Sequence, residues 1–158
     1  MPELHLSLEY EWEPFTVAGR HLTFAEHRTA RLYRNQCGHW GAAVYKWEGV
    51  LSEGPLAGKT GILIGETDDL RQRIKQYVSG TQKSGNVYWR ENFLERGEIR
   101  LFVLRLKAVG LRAREVAASC LDLRDFSSGN RRVVYEQVLI MQEIERDDPG
   151  VWIVNRKL

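Results

Sequence analysis

Glu136 is the acidic residue whose sequence neighbours most clearly indicate that its charge has a binding partner. It lies within the apolar run from Val133 to Met141, which is predicted to be helical. Burying an ionised carboxylate is unfavourable unless an arginine or a divalent cation compensates its charge. The sequence therefore favours one of these two partners. The alternative is a carboxylate on the polar side of the helix, as expected for Glu143.

Arg73 and Tyr77 lie one turn apart on a predicted helix that is apolar on one side. Arg73 lies at the border of the apolar stripe, which consists of Leu70, Ile74, Tyr77 and Val78. From such a position a guanidinium emerges beside the sheet and can bind a phosphate through two hydrogen bonds. The alternative is an arginine whose aliphatic part simply covers the stripe.

Tyr45 lies on a predicted strand, and its neighbour Lys46 should point to the opposite face of that strand, towards the surface. A tyrosine in the core of a sheet is common, and alone it indicates no function. The joint spacing is more specific. Seventeen residues separate the tripeptide at 43–45 (Ala-Val-Tyr) from the tripeptide at 63–65 (Leu-Ile-Gly), and the helix that carries Arg73 follows at once.

This spacing resembles the signature of the GIY-YIG endonuclease superfamily. In that family two tripeptides lie on adjacent strands, a helix with an arginine follows the second tripeptide, a later helix supplies a glutamate, and an asparagine lies near the end of the domain. The matching positions in this chain are Tyr45, Arg73, Glu136 and Asn155, and the match covers about residues 41 to 155. The most specific part is the turn after Gly65, followed by Leu-x-x-Arg.

The resemblance implies a DNA endonuclease that hydrolyses phosphodiester bonds with one divalent cation, Mg²⁺ or Mn²⁺. It implies that Glu136 binds the cation and that Arg73 neutralises charge on the scissile phosphate. Tyr45 would position or deprotonate the attacking water. Asn155 is a further site residue that the resemblance implies. We expect the polar ends of these side chains to converge within about 10 Å.

The chain departs from the family pattern in both tripeptides. Ala43 replaces a glycine, and Leu63 replaces a tyrosine, so one of two hydroxyl groups is missing. Tyr77 stands where many members have a histidine, and it can supply the second hydroxyl. Leu63 therefore leaves an alternative function open: a nucleic-acid-binding module, derived from a nuclease, that does not cut.

Basic and aromatic residues on and after the predicted helix favour a nucleic acid as partner. Between Arg71 and Arg114 there are eleven basic residues and three acidic ones, although the net charge of the chain is only +2. Cations bind phosphates, and aromatic rings stack on bases. The residues predicted to bind nucleic acid are Arg71, Lys75, Lys83, Tyr88, Trp89 and Arg90. The alternative is a helix that buries Tyr88 or Trp89 with Phe93 in the core. DNA is the expected substrate, and the sequence leaves RNA open.

The order of elements predicts a single α/β domain with a small mixed, mainly antiparallel sheet flanked by helices. Its nuclease-like part is predicted over residues 41–158. An N-terminal extension over residues 1–40 is predicted to contain an edge strand and a basic helix that Thr23 caps. The predicted strands cover residues 4–10, 43–47, 61–65, 99–106 and 151–154. The predicted helices cover residues 23–35, 70–78 (after the cap Thr67-Asp68-Asp69), 87–96, 111–121 and 131–146.

Several other motifs are excluded. The segment from Gly54 to Thr60 is not a P-loop, because three rather than four residues separate its glycines and a strand follows it. Cys37 and Cys120 have no Cys-x-x-Cys partner, which argues against a disulfide framework or a four-cysteine zinc site. The sequence has no run of about 18 apolar residues and no secretion signal, which predicts a cytoplasmic protein without a membrane segment. It carries no signal for an oligomeric state.

Overall fold

The fold is seen in a computed structural model that describes residues 2–34, 40–80, 85–113 and 126–155. The strands are β1 (Leu4–Pro14), β2 (Ala43–Val50), β3 (Thr60–Thr67), β4 (Arg100–Ala113) and β5 (Val151–Ile153). The helices are α1 (Phe24–Ala30), α2 (Leu70–Ser79), α3 (Gly85–Trp89, continued by a π-helical turn over Arg90–Leu94) and α4 (Gly129–Arg146). A 3-10 turn over Leu32–Arg34 follows α1. Within the described ranges, no helix is long and apolar enough to cross a membrane.

The five strands form one sheet in the order β1-β4-β2-β3-β5. Neighbouring strands are antiparallel except β3 and β5, which are parallel. This confirms the predicted mixed, mainly antiparallel sheet. Side chains alternate between the faces of a sheet. Tyr45 and Leu63 therefore pack in an α2-side core with α1, α2 and α3, whereas Val44 and Ile64 pack in an α4-side core.

The N-terminal residues contribute to this same sheet and core. β1 is an edge strand, as predicted, and it pairs with β4 along its whole length. Phe24 and Tyr33 are buried in the α2-side core together with Tyr45. The described part of residues 1–40, predicted as an extension, therefore belongs to the same domain as the elements that follow it.

Two predicted helices differ from the structure more than the others do. The helix predicted over residues 111–121 is wrong at its start, because residues 111–113 belong to β4 and pair with residues 4–6. Long-range pairing with β1 outweighs local preference there. Residues 114–121 lie outside the described ranges. The helix predicted over residues 23–35 ends at Ala30, since Arg31 adopts a left-handed conformation with φ of 51°.

Helix caps explain where α2 and α4 begin. The side chain of Asp69 accepts a hydrogen bond from the backbone N–H of Gln72, which confirms the predicted cap of α2. Ser128 caps α4 in the same way, so the helix begins two residues before the predicted start. It ends at Arg146, as predicted, because Asp147 is left-handed.

His27 of α1 is buried in a way that keeps it neutral. Neither ring nitrogen has a hydrogen-bond partner in the described part of the chain, and the ring packs edge-on against Trp47. Burial lowers the pKa of His27 from 6.5 to about 4, because an imidazolium would lose its solvation there. The unfolded chain therefore takes up a proton below about pH 6.5 that the folded protein takes up only near pH 4.

Acidification is expected to destabilise the folded protein through His27. Between about pH 7 and about pH 5 this residue should lower the free energy of unfolding by about 2 kcal/mol. The His27→Leu variant should lose that part of the pH dependence. Urea unfolding of both proteins at the two pH values measures the difference, and an equal pH dependence in both would contradict a buried neutral histidine.

Candidate active site

Tyr45 of β2 and Tyr77 of α2 meet inside the α2-side core and are called here the tyrosine pair. Their hydroxyl oxygens lie 2.8 Å apart and share a hydrogen bond, and each residue is only 1% exposed. Tyr77 reaches this place because it lies on the buried stripe of α2, which has the predicted composition. The predicted second hydroxyl therefore lies beside the first.

Gly65 of β3 makes room for the tyrosine pair. It lies opposite Tyr45 in the register of β2 and β3. A Cβ atom at this position would lie 2.5 Å from Cζ of Tyr45 and closer still to its hydroxyl oxygen. A side chain here would displace the phenol ring, so the glycine of the second tripeptide has a packing role of its own.

The Gly65→Ala variant is expected to push the Tyr45 ring away from Tyr77. The protein should lose about 1 to 3 kcal/mol of stability, which is the usual cost of an overpacked core. Gly41→Ala is a matched control, because a Cβ atom there meets no atom within 4 Å. Urea unfolding compares the two variants, and equal stabilities would contradict the tight packing of Tyr45 on Gly65.

Arg73 lies one turn before Tyr77, at the border of the buried stripe, as predicted. Its side chain is half-buried, and its guanidinium lies near enough to the Tyr77 hydroxyl to lower the pKa of Tyr77. Its positive charge acts to lower the pKa of both tyrosines. Arg73 forms no ion pair with the described residues. The guanidinium therefore lies beside the tyrosine pair, and no carboxylate among the described residues forms an ion pair with it.

Burial decides the protonation state of the tyrosine pair. It raises the pKa of Tyr77 to about 12 and the pKa of Tyr45 well above its usual value, although the charge of Arg73 acts in the opposite direction. Both hydroxyl groups therefore keep their protons at neutral pH. Of the two roles expected for Tyr45, positioning the attacking water suits a phenol that keeps its proton, whereas deprotonating the water would require a lower pKa. Both roles stay predictions.

Glu136 lies at the edge of the side of α4 that faces the sheet, and it is half-buried. Burial raises the pKa of its carboxyl group, and the charge of Glu66 on β3 raises it further, whereas Arg73 lowers it. The charge of Glu136 in turn raises the pKa of both tyrosines. Glu136, Arg73 and the tyrosine pair therefore share one electrostatic environment, although α2 and α4 lie on opposite faces of the sheet.

Glu66 and Arg132 form an ion pair near Glu136 that the sequence analysis missed. Oε2 of Glu66 accepts a hydrogen bond from Nε of Arg132 at 2.9 Å, and Arg132 is only 7% exposed. Nη1 of Arg132 also donates to the carbonyl oxygens of Phe126 and Ser127. Arg132 lies one turn before Glu136, so the ion pair attaches the start of α4 to β3. The available signal was a carboxylate within an apolar strand and an arginine four residues before Glu136.

Asn155 follows β5 and binds the main chain of β3. Its side-chain amide accepts a hydrogen bond from the N–H of Ile64 at 2.8 Å and donates one to the carbonyl oxygen of Ile64 at 2.7 Å. Both ends of the amide are thus used by the residue next to Gly65. The observed role of Asn155 is to hold β3 beside the tyrosine pair, and a contact with substrate stays a prediction.

Lys46 points away from Tyr45, as predicted, but it does not lie at the surface. Its Nζ lies 2.5 Å from a carboxylate oxygen of Glu48 and packs over the rings of Trp12 and Phe102. Only 9% of the residue is exposed. The prediction of a surface lysine was wrong, because two aromatic rings and a carboxylate make a buried position favourable for the ammonium group.

Arg90 does not lie on a nucleic-acid-binding surface, which corrects its prediction. Its Nη1 donates hydrogen bonds to the carbonyl oxygens of Tyr77, Val78 and Gly80. The last carbonyl groups of a helix lack partners within the helix. Arg90 supplies those partners at the end of α2, so its guanidinium is used within the fold.

The three aromatic residues of α3 and its π-helical turn are divided between surface and core. Tyr88 is 57% exposed, whereas Phe93 is buried and Trp89 is partly buried against the α2-side core. This agrees with the alternative in which this helix packs an aromatic residue with Phe93 in the core. Tyr88 is available for stacking on a base. Lys83 lies outside the described residues.

Arg71 and Lys75 lie on α2 but on the side away from Arg73. Each residue of an α-helix turns by about 100°, which places Arg71 and Arg73 on opposite borders of the exposed face. Cζ of Arg71 lies 5.8 Å from the ring centre of Trp40. Lys75 is exposed. Arg71 and Lys75 therefore cannot contact the same phosphate as Arg73.

Glu136 is the residue that would hold a divalent cation. In the described ranges, no group of three or more His, Cys, Asp or Glu residues could hold a metal ion. The carboxylate of Glu136 is nevertheless poorly solvated and close to the charge of Glu66, and a cation would offset both effects. Mg²⁺ keeps several waters and takes oxygen ligands from phosphates, so one or two carboxylates suffice. A divalent cation at Glu136 therefore stays a prediction.

No protein-family model, curated protein or solved structure matches this chain. Its relationship to the GIY-YIG endonucleases therefore stays a prediction that rests on the residues described above.

Proposed function

We propose that this protein is a divalent-metal-dependent endonuclease that hydrolyses phosphodiester bonds in DNA. One observation carries the proposal. Arg73, the tyrosine pair and Glu136 come from elements on both faces of the sheet, yet the charges of Arg73 and Glu136 act on the pKa values of both tyrosines, and the charge of Arg73 acts on that of Glu136. Clusters of perturbed titratable groups are typical of functional sites. An arginine that has no ion-pair partner in the described part of the chain suits a phosphate, and a poorly solvated carboxylate suits a cation.

Arg73 binds the scissile phosphate in this proposal. Its guanidinium lies at the border of α2, where its charge lowers the pKa of Tyr77, and it forms no ion pair with the described residues. A planar guanidinium binds two phosphate oxygens at once and stabilises the charge that grows there in the transition state. Lysine in this position would keep the charge but not the paired geometry.

Glu136 holds Mg²⁺ or Mn²⁺ in this proposal. A bound cation supplies charge stabilisation at the phosphate and makes a water molecule more acidic. The side chains around Glu136 determine where that carboxylate lies. The Glu66–Arg132 ion pair attaches the first turn of α4 to β3, and Glu136 follows one turn later.

The tyrosine pair orients oxygen atoms rather than accepting protons. Both hydroxyl groups keep their protons at neutral pH, because burial raises their pKa values. The two hydroxyl groups share a hydrogen bond, and the charge of Arg73 acts on both of them. When Tyr77 donates to Tyr45, the proton of Tyr45 remains available to orient the attacking water or a phosphate oxygen.

A second function, binding of nucleic acid without cleavage, is favoured by a specific observation. Leu63 stands where the resembled family has a tyrosine, and it is buried opposite Trp47 in the α2-side core. The two hydroxyl groups that remain are almost completely buried. Such a site could bind a phosphate through Arg73, but it would have no exposed hydroxyl group to position the attacking water.

Cleavage of DNA separates the two functions. Wild-type protein is incubated with supercoiled and with single-stranded DNA in Mg²⁺, in Mn²⁺ and in EDTA, with a labelled RNA in parallel. Glu136→Gln is the inactive comparison, and Glu145→Gln is the matched control, because Glu145 is an exposed carboxylate on the same helix. We expect metal-dependent nicking by wild type and Glu145→Gln, and none by Glu136→Gln.

Two results would overturn the proposed endonuclease. The first is wild-type nicking no faster than that of Glu136→Gln, which combined with DNA binding would indicate the non-cleaving module. The second is equal loss of activity in Glu136→Gln and Glu145→Gln, which would indicate a general effect of charge. Cleavage of RNA alone would move the substrate from DNA to RNA.

A further inference from the structure

Four basic residues of α2 and of the segment directly after α1 have no acidic partner among the described residues; we call Arg31, Arg34, Arg71 and Lys75 the basic surface. None of them forms an ion pair with the described residues. Several basic residues elsewhere on the molecule form ion pairs, such as Arg20 with Glu26, Arg105 with Glu11 and Glu13, and Lys107 with Glu11. Uncompensated cations on one surface attract a polyanion.

These residues come together because the N-terminal segment packs on α2. The 3-10 turn that carries Arg34 contacts α2. Near the start of α2, the N–H of Leu70 donates to the carbonyl oxygens of Trp40 and Gly41. Arg31 directly precedes the turn and is exposed, as is Arg34. The basic surface is thus built by two parts of the chain that are distant in sequence.

Arg71 is held in place by an aromatic ring instead of a carboxylate. Its guanidinium lies 5.8 Å from the ring centre of Trp40. Its Nε is buried and has no hydrogen-bond partner among the described residues. A guanidinium that is fixed by stacking keeps N–H groups free to donate to an anion. Phosphate is the anion that suits this geometry best.

The outer face of α2 joins the basic surface to Arg73. Gln72, Gln76 and Ser79 are exposed there together with Lys75. Helix α2 contains no acidic residue from Leu70 to Ser79, and the carboxylate of Asp69 before it is engaged in the helix cap. A backbone of phosphates can therefore cross this face without meeting a carboxylate of α2.

We infer that a DNA strand crosses the outer face of α2, with phosphates bound at the basic surface on one side and at Arg73 on the other. The inference rests on the proposed function and deepens it. It assigns part of residues 1–40 to substrate binding. It also places the main DNA contact on α2 and not on residues 81–93, which the sequence had favoured. In that segment Arg90 is used within the fold and Trp89 packs on the core.

The affinity for a fluorescein-labelled DNA oligonucleotide tests the inference. Anisotropy is measured in EDTA at a series of salt concentrations. The test variant is Arg34→Gln/Lys75→Gln, because both side chains are exposed and their loss should leave the fold intact, which the melting temperature checks. The matched control is Arg105→Gln/Lys107→Gln, which removes the same charge from cations already paired with Glu11.

We expect the test variant to bind at least about tenfold more weakly than wild type near 0.1 M salt. The slope of log affinity against log salt should fall by about 1.4 to 1.8, which corresponds to two lost phosphate contacts. The control variant should stay within about twofold of wild type. Equal losses in both variants, or wild-type affinity and slope in the test variant, would overturn the inference.

Cleavage measured separately in Mg²⁺ distinguishes this inference from the proposed function. If wild type does not cut DNA but the test variant binds it more weakly than wild type, the DNA contact at the basic surface is supported and the proposed endonuclease activity is contradicted. If wild type cuts but the test variant binds like wild type, the endonuclease stands and the basic surface does not. An absence of DNA binding by wild type would overturn both.

Discussion

Replacing Arg73 by alanine is expected to lower the rate of DNA nicking by about a thousandfold, the scale found when an arginine that stabilises phosphate charge is lost. DNA binding should also weaken, because one phosphate contact disappears. The stability of the fold should change little, since Arg73 lies at the border of the buried stripe and forms no ion pair with the described residues. Single-turnover nicking and melting temperature measure these effects.

Arg73→Lys is the informative control for that result. It keeps the positive charge but loses the planar group that binds two oxygens, so we expect a rate between those of wild type and Arg73→Ala. A rate for Arg73→Ala equal to that of wild type would contradict the assigned phosphate contact. A large drop in melting temperature with unchanged nicking would show that Arg73 only supports α2.

Replacing Glu136 by alanine is expected to abolish cleavage, by about a thousandfold or more, because several kcal/mol of transition-state stabilisation by a bound cation is lost. DNA binding should be kept or become tighter, since a negative charge disappears from the site. Melting temperature should be kept as well. The buried arginine nearby, Arg132, is paired with Glu66, and burial already raises the pKa of Glu136.

The opposite pattern would identify Glu136 as a structural charge. Removing one partner of a buried ion pair typically costs about 3 to 5 kcal/mol, so a structural glutamate would give a large drop in melting temperature together with weaker DNA binding. Affinity and melting temperature of Glu136→Ala, measured at one salt concentration beside Glu145→Ala, distinguish these results.

Local sequence pattern was sufficient to predict the elements that carry most of the site. The stripe of α2 and its cap follow from residue spacing within one turn or two, and β2 and β3 follow from two apolar runs separated by a turn. Their bounds were therefore nearly correct. The full length of β4 could not be predicted in this way, because residues 111–113 are strand only through pairing with β1.

Only those residues of the candidate site that have a characteristic spacing in the sequence could be predicted. Tyr45, Tyr77 and Arg73 depend on one strand and one helix, and they lie together. The Glu66–Arg132 ion pair depends on how α4 lies across β3, which the spacing of either residue does not determine. Arg90 was misassigned because an arginine that supplies the partners for carbonyl groups of another helix has the same local sequence as one that binds phosphate.

The claim that Arg73 and the tyrosine pair act as one hydrolytic unit is tested most directly by a double-substitution cycle. Single-turnover nicking rates in Mg²⁺ are measured for wild type, Arg73→Lys, Tyr77→Phe and the variant with both substitutions. Because the charge of Arg73 acts on the Tyr77 hydroxyl, which is hydrogen-bonded to Tyr45, we predict that the combined loss is at least about threefold smaller than the product of the single losses. Single losses that simply multiply, or no nicking by wild type, would contradict it.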